Sequence, residues 1–128
     1  MKMLILYCYL TPLALFPFTG LHAQDRAAPT PEQNAAKLTQ WMRGTLELNN
    51  NQADQVQTIN LKYAYKLYDL QNRPDTKQQK MRALKADGDA KDQEMKRVLT
   101  SEQFQKWLIK KEEAKRLVNE NIKRKKGG

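Results

Sequence analysis

Cysteine, histidine and serine are almost missing from this chain. Each occurs once in its 128 residues, as Cys8, His22 and Ser101. Cys8 and His22 both fall within the first 23 positions. Everything from Gln24 onward therefore lacks a thiol nucleophile, a disulfide, an imidazole base and the ligands of a Cys/His zinc site. Ser101 directly follows a helix cap and belongs to no nucleophile elbow, and no glycine-rich phosphate loop is present. Val and Ile are scarce and no stretch alternates with period two, which excludes a strand-built fold. Beyond Glu32, proline occurs only at position 74 and glycine only at 44, 88, 127 and 128, so little interrupts helix formation. The acids are spread along helix faces at ion-pair spacing rather than gathered in a pocket motif. The expectation is a non-enzyme with no catalytic residue, no cofactor and no metal site.

The N-terminus is the apolar part. Lys2 is its single charge, Leu4 to Leu21 is apolar apart from Thr11, Thr19 and the Pro and Gly residues, and Ala23 precedes the polar Gln24. This pattern reads as a secretory signal peptide over residues 1–23, cleaved near Ala23. Pro12, Pro17 and Gly20 interrupt the run, against an uncleaved anchor. The whole chain carries a formal charge of +9, so loss of Lys2 leaves +8. Residues 24–31 read as an Ala/Pro linker, 32–124 as one helical domain and 125–128 as a basic flexible tail. The fold class is all-α: four long amphipathic helices near 31–46, 50–72, 76–97 and 101–124.

Two helix junctions share a local grammar. In Leu99-Thr100-Ser101-Glu102-Gln103, Thr100 stands at an N-cap with Gln103 at N3, a capping box; Leu99 and Phe104 flank it as a hydrophobic staple. Leu48-Asn49-Asn50-Asn51-Gln52 repeats the arrangement with Asn49 as the cap and Gln52 at N3. As chemistry, Leu48, Asn49, Gln52, Leu99, Thr100 and Gln103 are helix starts.

The same residues carry a family likeness. Leu99-Thr100-x-x-Gln103 is an LTxxQ motif, and Leu48-Asn49-x-x-Gln52 is a variant about fifty residues upstream. Two such motifs in an exported, helical, charge-rich chain resemble the Spy/CpxP family of periplasmic proteins, over residues 32 to about 124. Asn49 in place of Thr is the departure. The resemblance implies a periplasmic location and a bent, hairpin-like protomer in a cradle-shaped antiparallel homodimer. It further implies ATP-independent holding of unfolded clients during envelope stress. Some relatives bind metals through histidines, which this chain lacks after position 22, and others regulate a stress-sensor kinase. An envelope-stress adaptor that binds a sensor partner is thus an alternative function.

Helical phase points independently to surfaces in need of cover. At about 100° per residue, Val56, Ile59, Tyr63, Leu67 and Leu70 form one core stripe of the second helix, while Leu61, Tyr65 and Tyr68 cluster opposite. On the fourth helix, Phe104, Trp107, Leu108, Ala114, Val118 and Ile122 form the main stripe, and Ile109 and Leu117 point elsewhere. The third offers only Met81, Leu84, Met95 and Val98. Trp41 joins Trp107 and Phe104 as an expected core or dimer residue. Leu61, Tyr65, Tyr68, Ile109 and Leu117 are the candidate client or dimer contacts. Pairs at i,i+4 (Asp69–Arg73, Asp87–Lys91, Asp92–Lys96, Glu102–Lys106, Glu112–Arg116, Glu120–Arg124) predict a solvated charged face. Lys123, Arg124, Lys125 and Lys126 are candidate electrostatic contacts. The expected partners are unfolded or partly folded proteins, a second copy of the chain and anionic envelope lipid. A polyanion- or membrane-surface-binding helical module is a further alternative; export and the regular admixture of acids argue against nucleic acid.

Overall fold

The structure, a computed structural model, describes residues 27–128; the signal-peptide reading of 1–23 lies outside the described residues. Four helices follow one another: α1 (Pro31–Leu46), α2 (Asn50–Asn72), α3 (Lys77–Val98) and α4 (Ser101–Gly127). No strand occurs among the described residues. The expected helices are all present. α4 runs through Lys125 and Lys126 to Gly127, past its expected end near 124, so these basic residues are helical. Cations in a last turn interact favourably with the helix dipole.

Every helix starts with the same device. Thr30, Asn49, Thr76 and Thr100 each accept a hydrogen bond from the backbone N–H of a glutamine three residues on. That glutamine's side chain in turn accepts from the cap N–H. The boxes at Thr30–Gln33 and Thr76–Gln79 were not anticipated, although Thr-Pro-Glu-Gln and Thr-Lys-Gln-Gln spell them. The ends differ. α1 closes on Glu47 in the left-handed region (φ 54°, ψ 50°), where Leu48 N–H donates to the Arg43 carbonyl. α2 stops at Arg73, held extended (φ −81°, ψ 147°) by the following Pro74.

α1 packs antiparallel on α2, and α2 antiparallel on α3. The core lies where the three overlap: Met42 and Leu46 of α1, Val56, Ile59 and Tyr63 of α2, Met95 of α3, joined by Leu48, Leu99 and Trp107. Met42, Val56 and Met95 are fully shielded from solvent. α4 reaches this core only through its first turns, with Phe104 and Leu108 leaning on it beside Trp107.

Several expected core positions are exposed, most of them because the helices outrun one another. α1 begins level with Tyr65, whose hydroxyl donates to Glu32. Leu67, lying past that point, has no α1 to cover it and is exposed, while Leu70 stays buried. Met81 and Leu84 of α3 are exposed in the same way, as are Ala114, Val118 and Ile122, because α4 leaves the bundle after its first turns. Trp41 is exposed too, its ring tilted at 60° against Trp107 with centroids 6.4 Å apart.

The charge pattern also departs from expectation. None of the six i,i+4 pairs is among the salt bridges of the described residues. The acids of α3 instead reach across to neighbouring helices: Glu94 to Lys62, Asp87 to Lys66 (3.6 Å) and Asp92 to Lys111. Those acids sit in partly shielded inter-helix grooves, where an ion pair is less screened than on an open helix face. Arg73–Asp75, Lys110–Glu113 and Lys115–Glu112 close locally at 2.9 Å.

Candidate interaction surface

The capping boxes of α2 and α4, at Asn49–Gln52 and Thr100–Gln103, meet in space. Each glutamine accepts at Oε1 from its own cap, Gln52 from Asn49 N–H (3.2 Å) and Gln103 from Thr100 N–H (3.0 Å). Each then spends its Nε2 on the other junction. Gln52 donates to the Val98 carbonyl (3.2 Å) and to Gln103 Oε1 (2.7 Å); Gln103 donates to the Leu46 carbonyl (3.1 Å) and back to Gln52 Oε1 (3.3 Å). The amides thus form a reciprocal pair that also satisfies carbonyls at the ends of α1 and α3. Such carbonyls have no intrahelical partner. Leu48 and Leu99, one residue before each cap, are buried together in the core. The Asn49–Gln52 and Thr100–Gln103 boxes cap their helices and in addition form a bolt joining the α1–α2 junction to the α3–α4 junction.

A second polar cluster borders this bolt. Asp92 accepts from Trp107 Nε1 (3.3 Å) and pairs with Lys111. Lys91 lies over the Trp107 ring, its Nζ 6.0 Å from the centroid. Burial pushes the Lys91 amine down to about 8; Asp92 partly offsets this and Lys111 adds to it. Farther along, burial and then the Glu94 carboxylate, which accepts from its hydroxyl (3.0 Å), drive the Tyr63 phenol up to about 12. The Lys62 ammonium, then Tyr63, hold the Glu94 carboxyl below its usual range. Glu112 raises the Lys115 amine. These groups are tied to one another, and no group of three or more His, Cys, Asp or Glu able to hold a metal occurs among the described residues.

The candidate contact residues occupy separate surfaces. Tyr65 and Tyr68 are exposed on the side of α2 away from Tyr63, with Tyr68 53% accessible, and Leu61 beside them is half-buried. Ile109 (58%) and Leu117 (57%) are exposed on α4, but about 80° apart in phase at 100° per residue. Ile109 borders a shallow surface with Glu112, Glu113 and Arg116. Lys123, Arg124, Lys125 and Lys126 are all exposed, and Arg124 donates to Asn121 (2.6 Å). The α2 tyrosines and the α4 residues are not brought together. Sequence reasoning missed the Gln52–Gln103 pairing and the Lys91 site. Capping boxes are local signals, and nothing in linear spacing says which two will face each other.

No helix among the described residues is long and apolar enough to cross a membrane. No curated protein and no solved structure matches the chain. Residues 22–107, from before α1 to the second turn of α4, match the family described as a domain of unknown function, DUF4890, and the chain belongs to that family.

Proposed function

We propose that the protein is an exported, ATP-independent chaperone of the Spy/CpxP kind. It holds unfolded clients on a cationic, partly apolar helical surface, works in the periplasm as a homodimer and serves the envelope stress response. The observation that carries this reading is the exposed pair Tyr65 and Tyr68 on a bundle too thin to cover both sides of α2. These large amphipathic rings stand on the same helix as Lys62 and Lys66, which lie over the Tyr63 ring, in a chain whose charge is +8 once Lys2 is removed with the signal peptide. Positive charge draws acidic segments over long range, and tyrosines then provide apolar contact without demanding one sequence. Modest affinity lets a client fold while it is associated. The LTxxQ-type motifs hold the scaffold and leave the binding to these faces.

The test is suppression of aggregation by residues 24–128, without nucleotide, using chemically unfolded client proteins. Holding should persist at high salt, where screening weakens steering but not apolar contact. Tyr65→Ser combined with Tyr68→Ser should remove more of the high-salt activity than neutralising Lys123 to Lys126. If the tail variant loses everything and the tyrosine variant nothing, the chaperone reading fails. Sedimentation at micromolar concentration should give twice the monomer mass.

A further inference from the structure

We propose that the part of α4 beyond the bundle, residues 108–127, is a docking surface for an anionic phospholipid bilayer. After Lys111 meets Asp92, no residue of α4 is buried, and Leu117, Val118 and Ile122 are all about half exposed. At 100° per residue, Ala114, Leu117, Val118 and Ile122 share one arc of about 140°. The charges are sorted around it. Lys110, Lys115, Lys125 and Lys126 fall within about 80° of Val118, whereas Glu112, Glu113 and Glu120 all lie about 120° or more away. Lys110 and Lys125 thus lie within the apolar arc and Lys115 and Lys126 flank its Ile122 edge; Lys110 and Lys115 pair with Glu113 and Glu112, and Lys125 and Lys126 have no salt-bridge partner among the described residues. This is the pattern of a helix lying in a lipid interface, its apolar side chains among the acyl chains and its lysines reaching out to headgroups.

Charge decides between occupants. Residues 108–127 hold eight cations and three acids, a net +5. A second copy offers this arc the exposed Tyr65, Leu67 and Tyr68 of α2, its own α4 with the same +5, or the exposed Met81 and Leu84 of α3. The last are set among Lys77, Lys80, Arg82 and Lys85, with no acid before Asp87. The α3 and α4 faces repel α4, and the α2 face, with Lys62 and Lys66 paired to Glu94 and Asp87, is more balanced. An anionic bilayer attracts α4, each basic residue near such a surface adding to binding. Four apolar side chains, one of them alanine, are too few to hold the helix on a neutral bilayer, so binding should depend on anionic lipid. The segment lies beyond the DUF4890 match, which ends at Trp107, and the inference does not rest on the chaperone reading.

The experiment is co-sedimentation of residues 24–128, which contain all four helices, with vesicles. One set is phosphatidylglycerol mixed with phosphatidylcholine, the other phosphatidylcholine alone. Binding to the anionic set should be at least about tenfold tighter. Val118→Ser combined with Ile122→Ser, both exposed and so compatible with an unchanged circular dichroism spectrum, should weaken it by about tenfold. Lys115→Gln, Lys125→Gln and Lys126→Gln together should weaken it and flatten its salt dependence. Equal binding to both vesicle sets would overturn the proposal. So would anionic binding that the serine variant leaves intact and soluble heparin abolishes, which marks a simple polyanion site. A self-association that the serine variant dissolves would assign the arc to a second copy.

Discussion

Removing either member of the Gln52–Gln103 pair should do more than weaken one cap. Gln103→Ala deletes the bond to its own cap N–H, the bond to the Leu46 carbonyl and the reciprocal amide pair with Gln52. At about 1 kcal/mol per net hydrogen bond, discounted because the site is only partly buried, the loss is about 2 kcal/mol. Gln52→Ala should match it, since its bonds mirror those of Gln103. Gln79 is the internal control. It closes an equivalent box with Thr76 (2.9 and 3.2 Å) but has no distant partner, so Gln79→Ala should cost only about 0.5–1 kcal/mol. The decisive quantity is the coupling. The double variant at 52 and 103 should fall short of the summed single losses by about 1 kcal/mol, while 79 and 103 together should add within about 0.5 kcal/mol. Urea unfolding followed by circular dichroism, at one fixed protein concentration because any association would shift the midpoint, measures all five variants. Additivity at 52 and 103, or a Gln79→Ala loss as large as that of Gln103→Ala, would refute the bolt and return both motifs to the status of separate caps.

Stability should rise with pH between about 8 and 10, because the unfolded chain keeps the Lys91 proton to its ordinary pKa of about 10.4 while the folded chain releases it near 8. Discounted for partial exposure the full effect is about 2 kcal/mol; Lys91→Met should abolish the climb and be the more stable protein at pH 7 in urea titrations, and an unaltered pH slope would refute the assignment. Tyr63, whose folded pKa of about 12 exceeds its ordinary 10, makes the folded chain the better proton binder above pH 10 and should turn the curve downward there. Asn60 is buried with Oδ1 unpartnered among the described residues and Nδ2 donating to Thr39 Oγ1 (3.0 Å), so Asn60→Leu should be neutral or stabilise by about 1 kcal/mol in thermal unfolding; a loss above about 2 kcal/mol would show the amide to be needed for α1–α2 register.

Helix number, extent and start points were legible because they are local properties. Caps, a glutamine at N3, Pro74 and the shortage of other breakers act within a few residues, and period-3.6 patterning separated Val56, Ile59 and Tyr63 from Tyr65 and Tyr68 before any packing was known. What failed was everything that depends on which helix covers which. Leu67 and Val118 carry the same periodic signal as Ile59 and Trp107, yet the first pair is exposed and the second buried. Periodicity reports the side of a helix and is silent on where its neighbour ends. The ion pairs failed likewise: Asp92 has Lys96 at i+4, but Lys111 sits across the α3–α4 groove in a better-shielded position, and the tertiary partner wins.

This rearrangement of charge bears on how the two surfaces divide the work. The lysines of α2 nearest the tyrosine face are partly neutralised, Lys62 by Glu94 and Lys66 by Asp87, and both also stand about 5 Å from the Tyr63 ring. Along α4, Lys110 and Lys115 have local acidic partners, but after Glu120 there is no acid at all, and Lys123, Lys125 and Lys126 have no salt-bridge partner among the described residues. Positive potential is therefore concentrated at the C-terminal end of the molecule, while the exposed tyrosines belong to a more balanced surface. A single client site using both would need them adjacent, and they stand on different helices with no contact between them. Division of labour follows: α2 presents rings for retention, and the end of α4 presents charge beside an apolar arc. Variants at Tyr65 and Tyr68 should then affect holding without affecting vesicle binding, and variants at Val118 and Ile122 should do the reverse.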